Sequence, residues 1–390
     1  MGGAEMSEWV RYKLNEISTL SNGINFDKSA YASGVKLIGV SDFKDRLYPN
    51  YDSLQEVDSK VVRSGDYLEM GDIVFVRSNG NKELVGRCMM INRETPVTYS
   101  GFCIKLHLKD KKNFNPVFFN YLFRTRQFKK SMTGTAVGAN IQNLSQSRLG
   151  SCEVCVPSIE IQNAIATILS RYDSLIENYQ KQIVLLEEAA QRLYKEWFVD
   201  LRFPGYENTK IVDGVPEGWI PSTLGHIAEF KRGKTITKKD AVDGSIPVVA
   251  GGLEPAYYCN KSNTAERVIT VSGSGANAGF TRLYFEKVWA SDCSFVDIST
   301  TLFLHFVYCF LKENKSTIDN MQKGSAQPHV YAKDINALGL CVPDEKTLET
   351  FEVKAAMYFD NVASLIYQIR LLTEARDRLL PKLMSGEIYV

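Results

Sequence analysis

Several residue clusters have types and spacings that could do chemistry, and each misses a requirement. Cys152 and Cys155 form a CxxC pair, but no second pair follows, and His107, His226, His305 and His329 lie apart from it along the chain. A closed zinc site needs four ligands, so the eight cysteines are expected to be reduced and packed in strands and loops. Gly273, Gly275 and Gly279 give GxGxxxG, one residue longer than the dinucleotide fingerprint. Such a loop is expected to be a tight turn that brings backbone near a ligand. Arg232-Gly233-Lys234-Thr235 ends like a P-loop, but Ala228 stands where that motif needs its first glycine. Pro343-Asp344-Glu345-Lys346 holds nuclease-like residue types side by side at a helix start, where a carboxylate serves as cap and dipole partner. There is no Asn/Asp-Pro-Pro-aromatic tetrad of the kind amino-methyltransferases use, no helicase motif and no local nucleophile signature. The sequence assigns this chain no catalytic residue, no metal ligand and no cofactor of its own.

The elements around these clusters repeat. Trp9 opens a segment with LNEIS and Trp219 one with LGHIA, and Gly23 sits where Gly233 sits in the second copy. GDIVFVRSNGNKELVGR (71–87) matches RVITVSGSGANAGFTR (267–282), MTGTAVGANIQNLS (132–145) corresponds to QKGSAQPHVYAKDI (322–335), and Cys155-Val156-Pro157 pairs with Cys341-Val342-Pro343. Strands are expected at 72–77, 103–108, 151–156, 267–271, 293–298 and 338–342, with helices at 116–132 and 301–321. Each copy is therefore expected to be a mixed α/β domain with a sheet-rich core.

A long helical pattern follows each Val-Pro. Its first seam is Ile161, Ile165, Ile168, Tyr172, Leu175, Tyr179, Gln182, Leu186, Ala189 and Leu193; its second is Phe351, Ala355, Tyr358, Val362, Leu365, Ile369, Leu372, Arg376, Leu379 and Leu383. Alternating steps of four and three average the coiled-coil period. No Gly or Pro interrupts 160–198, which allows a helix about 55–60 Å long at 1.5 Å per residue. Two apolar stripes of similar length are expected to pack on each other, antiparallel, relating the domains by a pseudo-two-fold. Pro381 is expected to end or kink the second helix. The organisation is thus a first domain (1–158), a central helix (159–200), a linker (201–218), a second domain (219–343) and a C-terminal helix with its tail (344–390).

The net charge of +1 hides an uneven distribution. Residues 9–158 hold 21 Lys/Arg and 14 Asp/Glu, and 219–343 hold 13 and 11; the helical stretches 160–200 and 344–390 hold 4 and 7, and 6 and 8. A polyanion would have to touch the globular parts. No secretory signal opens the chain, and its longest apolar run, near 301–311, is well short of the ~20 residues of a membrane helix. A cytoplasmic protein is expected.

LLEEAAQRLYKEWFVDLRFPGYE (185–207), GVPEGW (214–219) and the ending LLTEARDRLLPKLMSGEI (371–388) resemble type I restriction–modification specificity subunits, and the two Gly-rich segments look like that family's target recognition domains. The resemblance covers nearly the whole chain. It implies two target recognition domains held apart on two antiparallel helices, each reading one half of a bipartite, asymmetric double-stranded DNA site. It also implies docked methyltransferase subunits, two of them, that bind S-adenosylmethionine, and motor-nuclease restriction subunits that use ATP and Mg; the specificity subunit itself is non-catalytic.

Reading sequence needs side chains that reach base edges. In the first domain the candidates are Arg77, Ser78, Asn79, Asn81 and Lys82, with Thr135, Asn140 and Gln142 near glycines. In the second they are Ser272, Ser274 and Asn277, then Ser325, Gln327, His329 and Tyr331. Lys231, Arg232, Lys234, Lys238 and Lys239 form the densest basic cluster and suit phosphates, whereas their counterparts Ser21-Asn22-Gly23-Ile24-Asn25 carry no charge. Three other readings stay open on the residues alone: a stand-alone DNA-binding regulator with a coiled-coil arm, an enzyme using the Gly-rich loops for a nucleotide, and a scaffold with degenerate domains.

Overall fold

Runs of β-branched and aromatic residues bounded by Gly and polar turns fold into the same set of strands twice. The computed structural model describes residues 9–43, 46–81, 84–133, 143–322 and 328–390. The chain forms two units, Met1–Ile176 with Leu371–Val390, and Glu177–Arg370.

The first unit contains β1 (Val10–Lys13), α1 (Leu14–Ile17), β2 (Ser18–Asn22), β3 (Tyr31–Ile38), β4 (Gln55–Val57), β5 (Ile73–Val76), β6 (Cys88–Met90), β7 (Val97–Tyr99), β8 (Cys103–Leu108), α2 (Pro116–Leu122), α3 (Arg126–Thr133), α4 (Gln146–Gly150) and β9 (Glu153–Val156). Strands β2-β8-β5-β6 form one antiparallel sheet, β4-β3-β7 a second in which β3 and β7 are parallel, and β1 pairs with β9. The long helix α5 (Ile159–Tyr194) follows.

After a short hairpin, β10 (Ile211–Val212) and β11 (Val215–Pro216), the second unit continues with β12 (Ile220–Thr223), α6 (Leu224–Ile227), β13 (Lys231–Arg232), β14 (Ile246–Val249), β15 (Tyr257–Cys259), β16 (Val268–Ser272), β17 (Thr281–Tyr284), β18 (Trp289–Ala290) and β19 (Cys293–Asp297). Then come α7 (Leu304–Glu313), α8 (Lys315–Asn320), α9 (Ala332–Asn336), β20 (Gly339–Val342) and the second long helix, α10 (Glu345–Met384). Sheets β13-β19-β16-β17 and β15-β14-β18 and the pair β12-β20 repeat the first unit strand for strand, including the parallel pair β14-β18. The matched glycines have one steric cause. A Cβ on Gly23 would stand 2.2 Å from the Tyr99 carbonyl oxygen, and one on Gly233 would stand 2.4 Å from that of Ser291.

Two expected helices are each split. Within 116–132, Thr125 Oγ1 donates to the Leu122 carbonyl and accepts from the Phe128 N–H, so it ends α2's turn and starts α3. Within 301–321, the Asn314 amide turns back onto the Phe310 carbonyl at 2.9 Å and separates α7 from α8.

Each unit holds its own stretch of both long helices. In the first, Ile165, Ala166 and Leu169 of α5 and Leu383 and Met384 of α10 join one core with Phe75, Phe118 and Phe119. There the Asp173 carboxylate receives both the Tyr121 hydroxyl and the Arg376 guanidinium. Within the first unit, where Asp173 meets Arg376 and Ile165 shares a core with Leu383, the two helices run antiparallel. In the second, the end of α5 meets the start of α10: Trp197 and Phe351 ring centroids are 5.8 Å apart. One wide π-type turn, Lys195–Val199, lets the adjacent Trp197 and Phe198 both reach this core. Trp219 packs on Phe203 at 5.0 Å, and Trp9 lies over Gly386, so each repeat's opening tryptophan rests on the segment that follows a long helix.

The α5 seam departs from the expected one at Leu175 and Gln182, whereas Ile161, Ile168 and Ala189 are half-buried. Leu169, Ile176 and Ala190 are buried, whereas Leu175 is 39% exposed and Gln182 is exposed. The adjacent pairs Ile168-Leu169, Leu175-Ile176 and Ala189-Ala190 are apolar at both places, so a 4–3 or a 3–4 step fits the sequence equally and packing selects one. Ile165 is buried, and Tyr172, Tyr179, Leu186 and Leu193 are half-buried; on α10, Phe351 and Leu365 are buried and Tyr358, Leu372 and Leu379 half-buried. α10 ends near Pro381, at Met384; in a last turn the proline's missing N–H removes a single bond. No helix among the described residues is long and apolar enough to cross a membrane.

Candidate nucleic-acid interface

In the first unit β5 runs out into Arg77–Asn81. The N–H groups of Arg77 and Ser78 both donate to the Phe102 carbonyl, at 2.8 and 3.3 Å, and the Arg77 carbonyl accepts from Leu144 N–H at 2.7 Å. Ser78 and Asn143 form a lone antiparallel bridge. Three segments thus converge: the loop after β5, the turn before β8 and the approach to α4. Arg77 is half-buried, and its Nη1 donates to the Gly101 carbonyl at 3.4 Å. Asn79 is not a free reader, because its Oδ1 accepts the Asn81 N–H at 2.7 Å and closes an Asx turn. Lys82, Thr135, Asn140 and Gln142 lie outside the described residues.

The second unit repeats two of these backbone bonds, and the bridge, with other side chains. Gly273 N–H donates to the Asp292 carbonyl at 3.1 Å, Val330 N–H to the Gly273 carbonyl at 3.1 Å, and Ser274 bridges His329. Asn143 therefore corresponds to His329, four residues away from the pairing that the sequence match of 132–145 with 322–335 gives. That match rested on small polar residues, which set no register; the bridge does.

Arg232, Ser274, Asp292, His329 and Tyr331 line one groove of about 230 Å³. Ser274 Oγ donates to the Asp292 carboxylate. The His329 and Tyr331 rings stack at 11° with centroids 5.9 Å apart. Asn277 is half-buried beside the groove's loop, in the short turn Gly275–Asn277. Ser272 is withdrawn from any ligand: it is 3% exposed and its Oγ holds the Gly251 carbonyl at 3.1 Å. Ser325 and Gln327 lie outside the described residues.

The basic cluster does not form one patch. Lys231 and Arg232 are neighbours on β13, opposite Phe295 and Ser294, so their side chains leave opposite faces. Arg232 reaches the groove, whereas Lys231, Lys234, Lys238 and Lys239 are not among its lining residues. Lys234 is exposed beyond the strand, its carbonyl accepting from Trp289 Nε1 at 2.7 Å, and Lys238 and Lys239 lie in the exposed turn that Thr237 and Asp240 close.

Phe102 and Asp292 escaped the sequence reading. They hold equivalent places, immediately before the matched strands that open with Cys103 and Cys293. Aligning those two cysteines is the signal that finds them. Burial pushes both thiols up to about 12, so they are packing groups at neutral pH. Cys152 is buried and Cys155 exposed, and among the described residues no cluster of three His, Cys, Asp or Glu could hold a metal.

Two domains of one topology, each framing a different polar site with the same backbone bonds, define a two-site recognition protein. Models of the type I restriction modification DNA specificity domain match residues 6–188 and 216–368. The chain is 28% identical over 297 residues to the MjaIX specificity subunit of Methanocaldococcus jannaschii, covering 69% of this chain and 68% of that one. It is 21% identical to the HindI specificity subunit of Haemophilus influenzae, covering 98% and 100%. A crystal structure of a type I restriction–modification S subunit from M. genitalium has the same fold, with a TM-score of 0.58 over 98% of each chain at 18% identity. The chain belongs to the type I restriction–modification specificity family, as a specificity subunit with two DNA recognition domains. The reading as a stand-alone regulator finds no support in these relatives.

Proposed function

We propose that each domain reads one half of a bipartite, asymmetric DNA site, and that α5 and α10 set the spacing between the halves and dock two methyltransferase subunits. The observation that carries this reading is the repeated frame of two backbone bonds and a bridge. It presents Arg77, Ser78 and Phe102 in one domain and Ser274, Asp292, His329 and Tyr331 in the other. One frame with two side-chain sets suits two different half-sites.

The helices add a second support. Val184 and Leu185 on α5 are 53% and 63% exposed, and Val353 and Met357 on α10 are 69% and 67% exposed. Apolar side chains of this size on helix faces suit burial against a partner subunit. The chain itself is non-catalytic in this reading. S-adenosylmethionine belongs to the methyltransferase subunits, ATP and Mg belong to restriction subunits, and the assembly works on cytoplasmic DNA. Lys234, Lys238 and Lys239 contribute phosphate contacts, which makes affinity fall with salt.

Co-expression with methyltransferase subunits, purification of the complex and footprinting on selected duplexes test this reading. Two protected stretches on one duplex, separated by a sequence-indifferent interval, are expected. A single protected stretch overturns it.

A further inference from the structure

We infer that the residue just before β8 and β19, Phe102 in the first domain and Asp292 in the second, is the position that decides which base edge each domain admits: an apolar one, a thymine methyl, for Phe102, and a base amine, of cytosine or adenine, for Asp292. This rests on the proposed half-site reading.

The two residues are equivalent by their bonds, since each offers its carbonyl to the first loop residue after the central strand, Arg77 or Gly273. In the first domain the Phe102 backbone is fully engaged: its N–H donates to Ser100 Oγ at 3.3 Å and its carbonyl takes two N–H groups. Its ring is nevertheless 62% exposed, beside the half-buried Arg77. An exposed aromatic ring on a pinned backbone costs little entropy to place against a ligand, and the apolar group of a DNA major groove is the thymine methyl. In the second domain the Asp292 carboxylate lines the groove with Arg232, and only Oδ2 is engaged by a described residue, Ser274. A carboxylate repels phosphates, so its place in a DNA-facing groove is useful where it accepts a hydrogen bond, and the exocyclic amines of cytosine and adenine are the donors there. Ser274 fixes the carboxylate's orientation.

The test uses the complete complex with its methyltransferase subunits and a duplex library randomised across both half-sites, selected by binding. Wild type, Phe102→Ala, Phe102→Leu, Asp292→Asn and Asp292→Ala are compared. Phe102→Ala is expected to lower the preference at one thymine-containing pair of one half-site by about fivefold or more, leaving the other half-site unchanged. Replacing that thymine by uracil should reproduce the loss in wild type and add nothing in the variant. Asp292→Asn should relax one pair of the other half-site by a similar factor, and the base selected by wild type there distinguishes cytosine from adenine. Asp292→Asn preserves size and Phe102→Leu keeps an apolar side chain, so complexes that co-purify normally keep the test valid if the alanine variants misfold. Unchanged preferences, or a uniform loss over all sequences, overturn the inference. A wild-type complex that selects no second half-site overturns the half-site reading instead.

Discussion

Ser274 and His329 face each other across a lone antiparallel bridge, and Ser78 and Asn143 repeat that bridge in the first domain. The bridge ties the loop after the central strand to the segment before a short helix; Leu144 and Val330 beside it are buried, while Arg77 stays half-buried and Tyr331 exposed. Two copies of one backbone device with different side chains are what a reader of two unlike half-sites requires.

Arg77 offers the most direct probe of the first site. Arg77→Ala should weaken specific binding by the assembled methyltransferase by about 1–3 kcal/mol, the worth of a base contact. Competition between cognate and scrambled duplexes measures it. An equal loss on both would move Arg77 to a phosphate role.

The repeated glycines should be intolerant of any side chain. A Cβ at Gly23 or Gly233 would meet carbonyl oxygens at 2.2 or 2.4 Å. Gly23→Ala and Gly233→Ala should each cost at least about 1–3 kcal/mol, the range of overpacking. Calorimetric unfolding of the two variants checks it, and unshifted transitions would refute the close approach.

The helix seam makes a paired prediction. Leu169 is fully buried, whereas Leu175 is 39% exposed. Leu169→Ala should destabilise by about 2–5 kcal/mol and Leu175→Ala by no more than about 0.5 kcal/mol. Denaturant midpoints of the two variants decide between the seams, and the reverse order would restore the one expected from sequence.

The buried thiols set an alkaline limit. Cys103 and Cys293 are raised by burial from about 9 to about 12. A raised folded value means that their contribution to stability is complete below pH 9 and is lost as pH rises from 9 to 12. Cys103→Ala and Cys293→Ala should flatten the fall in Tm over that window. At neutral pH a thiol reagent should modify the exposed Cys155 while both buried thiols stay protected until unfolding.

Much of this architecture was legible in the residues. The strand Cys103–Leu108 is where its apolar run places it, and the Val-Pro exits mark both long helices. What was not legible depended on choices that only packing makes. Ile168 and Leu169 are adjacent and both apolar, so nothing in their types says which one faces the core. Thr125 and Asn314 break their helices through side-chain bonds to backbone, which hydrophobic periodicity does not register. At the candidate sites, polar residue type suggested Ser272 and Asn79, yet one is buried in a sheet contact and the other closes a turn. Phe102 and Asp292 were hidden because neither looks like a DNA-binding residue by type; their equivalence exists in the bonds.

Single-molecule methylome mapping of cells that express this chain with its methyltransferase subunits tests the two-domain account most directly. The account predicts one methylated motif with two specified, unlike parts around an unspecified spacer, and exchange of residues 219–343 for another subunit's second domain should change one part alone. A single continuous motif, or a change in both parts on that exchange, would contradict it.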